Sequence, residues 1–136
     1  MVFTEKLREI QTPCYYYNIE LLKKTLEKIN TESGKYPAFH VHYAVKANAN
    51  PVLLQIISSY GIGADCVSSN EIQRALECGF PADKIVYAVV GKSDAEIEIA
   101  LQNDIFCFNS ESLPEIRVIN EIAGRMHKKA RIALRI

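Results

Sequence analysis

Short apolar segments alternate with single amphipathic helices along this chain, and that alternation constrains the fold more than any other feature. The predicted strands centre near residues 41, 65, 87, 106 and 133. Strands joined by one helix each run parallel, because the helix returns the chain to the end of the sheet where the strand began. Short loops favour a barrel over a doubly wound sheet, and no G-x-G-x-x-G motif follows the first strand. The predicted fold class is therefore α/β, a partial (β/α)8 TIM-type barrel.

Capping signals mark where the helices begin and end. In Ser-x-x-Glu, the serine side chain caps the helix and the glutamate reaches back toward the cap. Three predicted helices begin with such pairs: Ser68 and Glu71, Ser93 and Glu96, Ser112 and Glu115. Asn50 before Pro51 predicts another helix start, and Asn18 and Gly34 bound the first helix. The predicted strands span residues 14–17, about 39–47, 63–68, 84–90, 104–109 and 130–136.

The number of strands sets an expectation about domain organisation. A barrel of this type needs eight strands, whereas the chain has about five barrel strands in its 136 residues. We therefore expect residues 1–136 to be the N-terminal part of a longer barrel domain. The fifth strand then has an open edge that must be covered or paired, which favours self-association.

The composition excludes several classes of partner. Sixteen basic and sixteen acidic residues give a formal net charge of zero, so neither a nucleic-acid surface nor an acidic membrane surface is indicated. The four cysteines form no C-x-x-C pair, which is typical of buried thiols in a reducing compartment. No apolar run is long enough to span a bilayer. We expect a cytoplasmic protein with a small-molecule ligand, without a membrane or nucleic-acid partner.

Lys46 is the first candidate for chemistry, because it ends the apolar strand at about 39–47. Alternation would place it on one face with His42 and Ala44. Burial at the rim of a core would favour the neutral, nucleophilic amine. The alternative is a strand-end lysine whose stem packs on apolar surface while its charge reaches solvent.

Five motifs resemble, in order, those of the diaminopimelate decarboxylases. This family belongs to the alanine-racemase-like pyridoxal-phosphate enzymes, which include the ornithine and arginine decarboxylases. The similarity runs from about Thr12 to the last residue. The motifs are Tyr43-Ala-Val-Lys-Ala-Asn-Ala-Asn50, Gly61-x-Gly-Ala-Asp-Cys-Val-Ser-x-x-Glu71, Gly91-Lys-Ser-x-x-Glu-Ile97, Phe108-Asn-Ser-Glu-Ser112 and Ala133-Leu-Arg-Ile136.

The resemblance implies a pyridoxal 5'-phosphate cofactor held as a Schiff base by Lys46, which is also the catalytic residue. It places Asp65 close to the cofactor and the lysine, and Arg135 near the cofactor ring. Glu71 belongs to the same motif as Asp65, but its pairing with Ser68 favours a structural role. Asn48 is expected to shape the turn beside Lys46 and to take no chemical step.

The implied reaction is decarboxylation of meso-diaminopimelate to L-lysine by a cytoplasmic homodimer in lysine biosynthesis. The alternatives are an ornithine-, arginine- or carboxynorspermidine-type decarboxylase, a non-catalytic pyridoxal-phosphate-binding barrel, and a βα module that binds no cofactor. In this family the phosphate cradle, the partner of the pyridine nitrogen and a C-terminal β domain follow later in the chain. We therefore expect residues 1–136 alone to be inactive.

Other candidate sites have weaker support. Gly91-Lys92-Ser93 resembles the end of a P-loop, but Val86 stands where that motif requires glycine. His40 and His42 lack a third metal ligand nearby, so we expect polar packing and no metal site. Tyr15, Tyr16 and Tyr17 are predicted to pack in a strand, and no residue near Cys66 or Cys107 would activate a thiol.

Overall fold

The structure, a computed structural model, describes Arg8 and residues 10–136. Helices and parallel strands alternate through residues 10–136. The helices are α1 (Ile19–Ser33), α2 (Pro51–Ser59), α3 (Ser69–Glu77), α4 (Asp94–Gln102) and α5 (Leu113–Arg125). The strands are β1 (His42–Ala44), β2 (Gly63–Cys66), β3 (Ile85–Tyr87), β4 (Cys107–Ser110) and β5 (Ile132–Leu134). Two short 3-10 helices cover Val45–Ala47 and Ala82–Lys84.

The strands form one parallel sheet in the order β1-β2-β3-β4-β5. Each strand therefore pairs with the next along the chain, as in the wall of a (β/α) barrel and unlike a doubly wound sheet, whose order reverses at a switch point. In register, Ala44 lies opposite Asp65, and Asp65 lies opposite Val86. The predicted parallel α/β alternation is confirmed.

The hydrophobic core lies between one face of the sheet and the helices. Ala64, Cys66, Tyr87 and Phe108 supply the strand side of this core and are all buried. Because successive side chains of a strand point to opposite faces, Gly63 and Asp65 lie on the other face of β2. That second face carries the residues of the candidate site.

The three serine caps form, but the glutamates use them in two ways. Ser68, Ser93 and Ser112 each accept a hydrogen bond from the backbone N–H three residues on. Glu96 completes a capping box with the Ser93 N–H. The other two carboxylates reach one residue further back and accept from the N–H groups of Val67 and Glu111, at 2.8 and 2.9 Å. All three glutamates thereby fix loops at the carboxyl end of the sheet.

Two predicted strands differ from the structure. Residues 14–17 form no strand, because no neighbouring strand pairs with them and Tyr15 is 90% exposed. The strand predicted over 39–47 is limited to His42–Ala44, and Val45–Ala47 turns into a 3-10 helix. This turn ends the alternation, so Val45 is fully buried while Lys46 is exposed. The exposure of Lys46 matches the alternative of a strand-end lysine whose charge reaches solvent, and not burial at the rim of the core.

Candidate active site

Lys46 lies immediately beyond the carboxyl end of β1, in the 3-10 helix. Asn48 holds this turn through four hydrogen bonds, one of which its backbone N–H donates to the Val45 oxygen at 3.1 Å. Its side-chain oxygen accepts from the Asn50 N–H at 2.9 Å, its amide donates to the Tyr17 hydroxyl at 2.9 Å, and its backbone oxygen accepts from the Tyr43 hydroxyl at 3.2 Å. The turn leaves the Lys46 amine open to solvent, where a small molecule can reach it.

Asp65 lies on β2 opposite Ala44, three residues before Ser68, the N-cap of α3. Its Oδ1 atom is buried and has no hydrogen-bond partner within the described part of the chain. Burial raises the pKa of the Asp65 carboxyl above its ordinary value. A buried acceptor without a donor is costly, so this oxygen is suited to a ligand that supplies one.

Three basic residues act on Asp65, two from the β1 segment and one that follows β5. The positive charges of Lys46, His42 and Arg135 each lower the pKa of the Asp65 carboxyl, against the larger effect of burial. Arg135 follows β5, three strands from β2, yet its charge still acts on the Asp65 carboxyl. The structure therefore brings together all three residues predicted from the sequence, Lys46, Asp65 and Arg135, at the carboxyl end of the sheet.

Arg135 has a carboxylate partner of its own. Its Nη1 atom donates to Glu111 Oε1 at 2.8 Å, and its backbone N–H donates to the Ser110 oxygen at 2.9 Å. The Arg135 side chain is 65% exposed, so this ion pair leaves other donor groups free for a ligand. Glu71, in contrast, accepts from the Val67 N–H and the structural role predicted for it agrees with that contact.

His42 lies in the layer of side chains beneath Asp65. The sequence predicts only polar packing for this histidine. Its imidazole covers Gly63, where an added Cβ would lie 2.8 Å from His42 Nε2. The same ring stacks on Phe106, with centroids 6.3 Å apart. The packing was predicted, but the proximity of His42 to Asp65 was not. The sequence feature that could have indicated this proximity is a histidine on one strand together with a glycine two residues before Asp65 on the next strand.

Lys92 is a buried residue that the sequence analysis considered only as part of a P-loop. Its ammonium contacts Glu115 and two backbone carbonyls, and lies 5.5 Å from the centre of the Tyr87 ring. These contacts tie together the loops that follow β3 and β4. No local pattern predicts them, because Glu115 is 23 residues away along the chain.

A cavity of about 580 Å³ lies at this end of the sheet, between the loops after β3 and β4, and its lining includes Lys92, Glu111 and Glu115. A cavity of about 320 Å³, lined by residues that include Phe39, His40 and Lys84, opens at the amino ends of the strands, away from Lys46. Among Arg8 and residues 10–136, no group of three or more His, Cys, Asp or Glu side chains could hold a metal ion. Burial raises the pKa of the Cys107 thiol, and the charge of Arg131 opposes this rise.

Among the residues that the structure describes, no helix is both long and apolar enough to span a membrane.

The chain matches a family model described as pyridoxal-dependent decarboxylase, pyridoxal binding domain, over residues 22–136. Diaminopimelate decarboxylase from Bacteroides thetaiotaomicron is 57% identical over 132 residues, which cover 97% of this chain and 34% of that protein.

Two solved structures show how far the similarity extends in space. Diaminopimelate decarboxylase from Helicobacter pylori, complexed with L-lysine, has a TM-score of 0.90 at 39% identity, covering 99% of this chain and 34% of that one. Ornithine decarboxylase from Entamoeba histolytica has a TM-score of 0.73 at 29% identity, covering 86% of this chain and 34% of that one. The chain therefore spans about a third of the length of these relatives. The predicted partial barrel fold is confirmed.

Proposed function

We propose, since the chain belongs to the pyridoxal-dependent decarboxylases and matches their pyridoxal-binding domain, that its whole protein decarboxylates meso-diaminopimelate to L-lysine. The family resemblance of the motifs is thereby confirmed. The observation that carries the proposed reaction is the 57% identity to a diaminopimelate decarboxylase over 97% of the chain. The product fits the Helicobacter pylori relative, which was solved with L-lysine bound.

The residues at the carboxyl end of the sheet fit a pyridoxal phosphate cofactor. The exposed Lys46 amine is available to an aldehyde, and Asp65 Oδ1 lacks a hydrogen-bond donor that a bound group would supply. When bound, this cofactor provides an electron sink for the carbanion left by loss of a carboxylate. Lys46 would hold the cofactor covalently through Nζ, and its amine, once free, would be placed to move a proton near the substrate α-carbon.

Asp65 and Arg135 would define the charge around that lysine. In the proposed mechanism Asp65 stays ionised and orients the Lys46 ammonium by charge attraction, while Arg135 balances the anionic groups brought in by the cofactor and the substrate. The positive charges of Lys46 and Arg135 both lower the pKa of the Asp65 carboxyl, which supports this arrangement. Glu111 supports it further, since its ion pair fixes Arg135 beside β4.

Substrate choice within the family is part of the proposal. The ornithine decarboxylase is less similar than the diaminopimelate decarboxylase from Helicobacter pylori, with a TM-score of 0.73 against 0.90. This difference favours diaminopimelate over ornithine. Arginine- and carboxynorspermidine-type activity, and a carrier that binds the cofactor without catalysis, remain as outcomes of the test.

The assembly and compartment of the whole protein are also proposals. We propose a cytoplasmic homodimer, with residues 1–136 as the first part of the barrel domain. The free cysteines Cys66, Cys78 and Cys107 are buried without disulfides, which suits a reducing compartment. The open edge of β5, exposed along its length, supports contact with further chain. Sedimentation of the whole protein measures the dimer directly.

The test combines cofactor mapping with activity. The whole protein is incubated with pyridoxal phosphate, reduced with borohydride, and digested for peptide mass spectrometry. We expect label on Lys46, loss of that label in Lys46→Arg, and retention in the control Lys84→Arg. Carbon dioxide release is then measured with meso-diaminopimelate, ornithine and arginine. Label at other lysines would overturn the cofactor site, and label on Lys46 with no release from diaminopimelate would overturn the substrate.

A further inference from the structure

We propose that His42 is a positioning residue that controls the charge on Asp65 from the layer beneath it, and so keeps an anion beside Lys46. This inference rests on the proposed function for the role of Lys46, but the His42–Asp65 relationship belongs to the fold alone. The sequence motifs assign no chemical role to His42, which precedes the first of them.

The register of β1 and β2 brings the two residues to one face. His42 lies opposite Gly63, and Ala44 lies opposite Asp65. Because parallel strands in register carry matched side chains on the same face, all four residues project from the face opposite the helices. Gly63 has no side chain and Ala44 only a methyl group, so nothing bulky separates the imidazole from the carboxyl.

The position of the imidazole is fixed on two sides. Below Asp65 it covers the Gly63 backbone, and laterally it stacks on the Phe106 ring at an interplanar angle of 25°. A side chain at residue 63 would occupy the volume of the ring. The glycine and the aromatic ring therefore pack against the His42 ring, and a hydrogen bond to the His40 backbone adds to its positioning.

Charged residues from several neighbouring elements act on Asp65 and on His42. Asp65 is acted on by Lys46 and Arg135 at the carboxyl end, and by His42 beneath. His42 is acted on by Asp65, by His40 on the same segment, and by Lys84 from the turn before β3. Burial lowers the pKa of the His42 imidazole, and Asp65 is the largest influence in the other direction.

These opposing effects predict coupled titration. Burial shifts the pKa of the His42 imidazole below its ordinary 6.5 and the pKa of the Asp65 carboxyl above its ordinary 3.8. On acidification the imidazole takes up a proton and its new positive charge opposes protonation of Asp65. A protonated His42 thus favours the anionic form of Asp65, which is the counter-charge beside Lys46.

The test titrates both groups in the cofactor-free whole protein by NMR, with the aspartate side chains labelled at the carboxyl carbon. We expect His42→Gln to raise the Asp65 midpoint by about half a pH unit or more, which is the size expected for a neighbouring charge in a half-buried site. His40→Gln is the matched control, since His40 is exposed and does not act on Asp65. An Asp65 midpoint unchanged in His42→Gln would overturn the inference.

A second measurement stays informative if His42→Gln does not fold. Electrostatic coupling is reciprocal, so Asp65→Asn must lower the pKa of the His42 imidazole. An unchanged His42 titration overturns the inference independently. In the cofactor-loaded protein, cofactor absorbance is followed as a function of pH. Its midpoint on the acidic side should shift in His42→Gln and stay fixed in His40→Gln. Coupling without label on Lys46 would refute only the proposed function, whereas label on Lys46 without coupling would refute only this inference.

Discussion

Lys92 Nζ lies 3.0 Å from Glu115 Oε1, and the lysine side chain is 0% exposed. The same ammonium donates to the carbonyl oxygens of Val89 and Asn109, each at 2.7 Å. The three donors of a lysine ammonium therefore all have acceptors, which a buried charge requires. Because Glu115 also accepts from the Glu111 N–H, this cluster fixes the loop that holds the carboxylate partner of Arg135.

Replacing Lys92 should destabilise the protein strongly. Lys92→Met keeps the apolar stem but leaves Glu115 as a largely buried charge without its cation. Breaking a buried pair by removal of one partner costs about 3–5 kcal/mol of unfolding free energy. Denaturant unfolding at neutral pH measures the loss.

The control for Lys92→Met is an ion pair on the surface. Lys35 Nζ lies 2.6 Å from Glu32 Oε2, but both side chains are more than half exposed. Lys35→Met should cost less than about 1 kcal/mol, because water screens an exposed pair. Equal losses of unfolding free energy in the two variants would show that the buried Lys92–Glu115 pair stabilises the fold no more than an exposed pair does.

Gly63→Ala should also destabilise the protein, because two groups already occupy the space. The new Cβ would overlap the His42 ring and lie 2.5 Å from the Lys84 carbonyl oxygen. Overpacking of this kind costs about 1–3 kcal/mol. Gly124→Ala is the matched control, since nothing lies within 4 Å of its added Cβ and Gly124 is inside α5. That variant should gain about 0.5–1 kcal/mol, and thermal unfolding of both separates the two effects.

The sequence predicted the parts of the fold that depend on local patterns. Alternation and capping residues are local signals, so the order of strands and helices and the three serine caps were predicted correctly. The extent of β1 was not, because its end depends on burial of Val45 in the core, which converts the expected strand into a turn. Residues 14–17 are rich in strand-forming tyrosine, but a strand exists only where a partner strand is present.

Some residues of the candidate site could likewise be predicted from local sequence, and others could not. Lys46, Asp65 and Arg135 were predicted through resemblance of motifs, and parallel topology alone predicts that strand ends meet at one edge. The roles of Lys92 and His42 were missed, because each depends on contacts across the fold. For Lys92 these contacts involve Glu115, and for His42 they depend on the register of two strands. Spacing along the chain carries no information about either relationship.

The capping box of α4 should make stability depend on pH. The Ser93 backbone N–H, at 3.1 Å, is the largest influence lowering the pKa of Glu96, and the Ser93 hydroxyl and the Ser69 N–H add to it. A carboxyl whose folded pKa lies below its unfolded value of 4.5 stabilises the fold above that value, and this contribution is lost as pH falls through the folded pKa. Glu96→Gln should therefore lower the unfolding free energy at pH 7 more than at acidic pH.

A second glutamate separates this effect from a general loss of negative charge. Glu20 also lies in a first helical turn, that of α1, but is exposed. Glu20→Gln should leave the pH dependence of unfolding close to that of the unmodified protein. If urea unfolding at neutral and acidic pH shows the same difference for both variants, the Ser93–Glu96 contacts do not set the acid sensitivity.

Cys66 should resist thiol reagents although it adjoins Asp65 at the candidate site. Burial, with additional effects from the negative charges of Glu71 and Asp65, raises the pKa of the Cys66 thiol to about 12. The side chain also points into the core between sheet and helices, so both the thiolate form and access are lacking. Exposed Cys14 should react with a thiol reagent at pH 8 in the native protein, while Cys66 reacts only after unfolding. Peptide mass spectrometry after timed labelling measures both sites, and native labelling of Cys66 at the rate of Cys14 would show that β2 opens far more readily than its packing indicates.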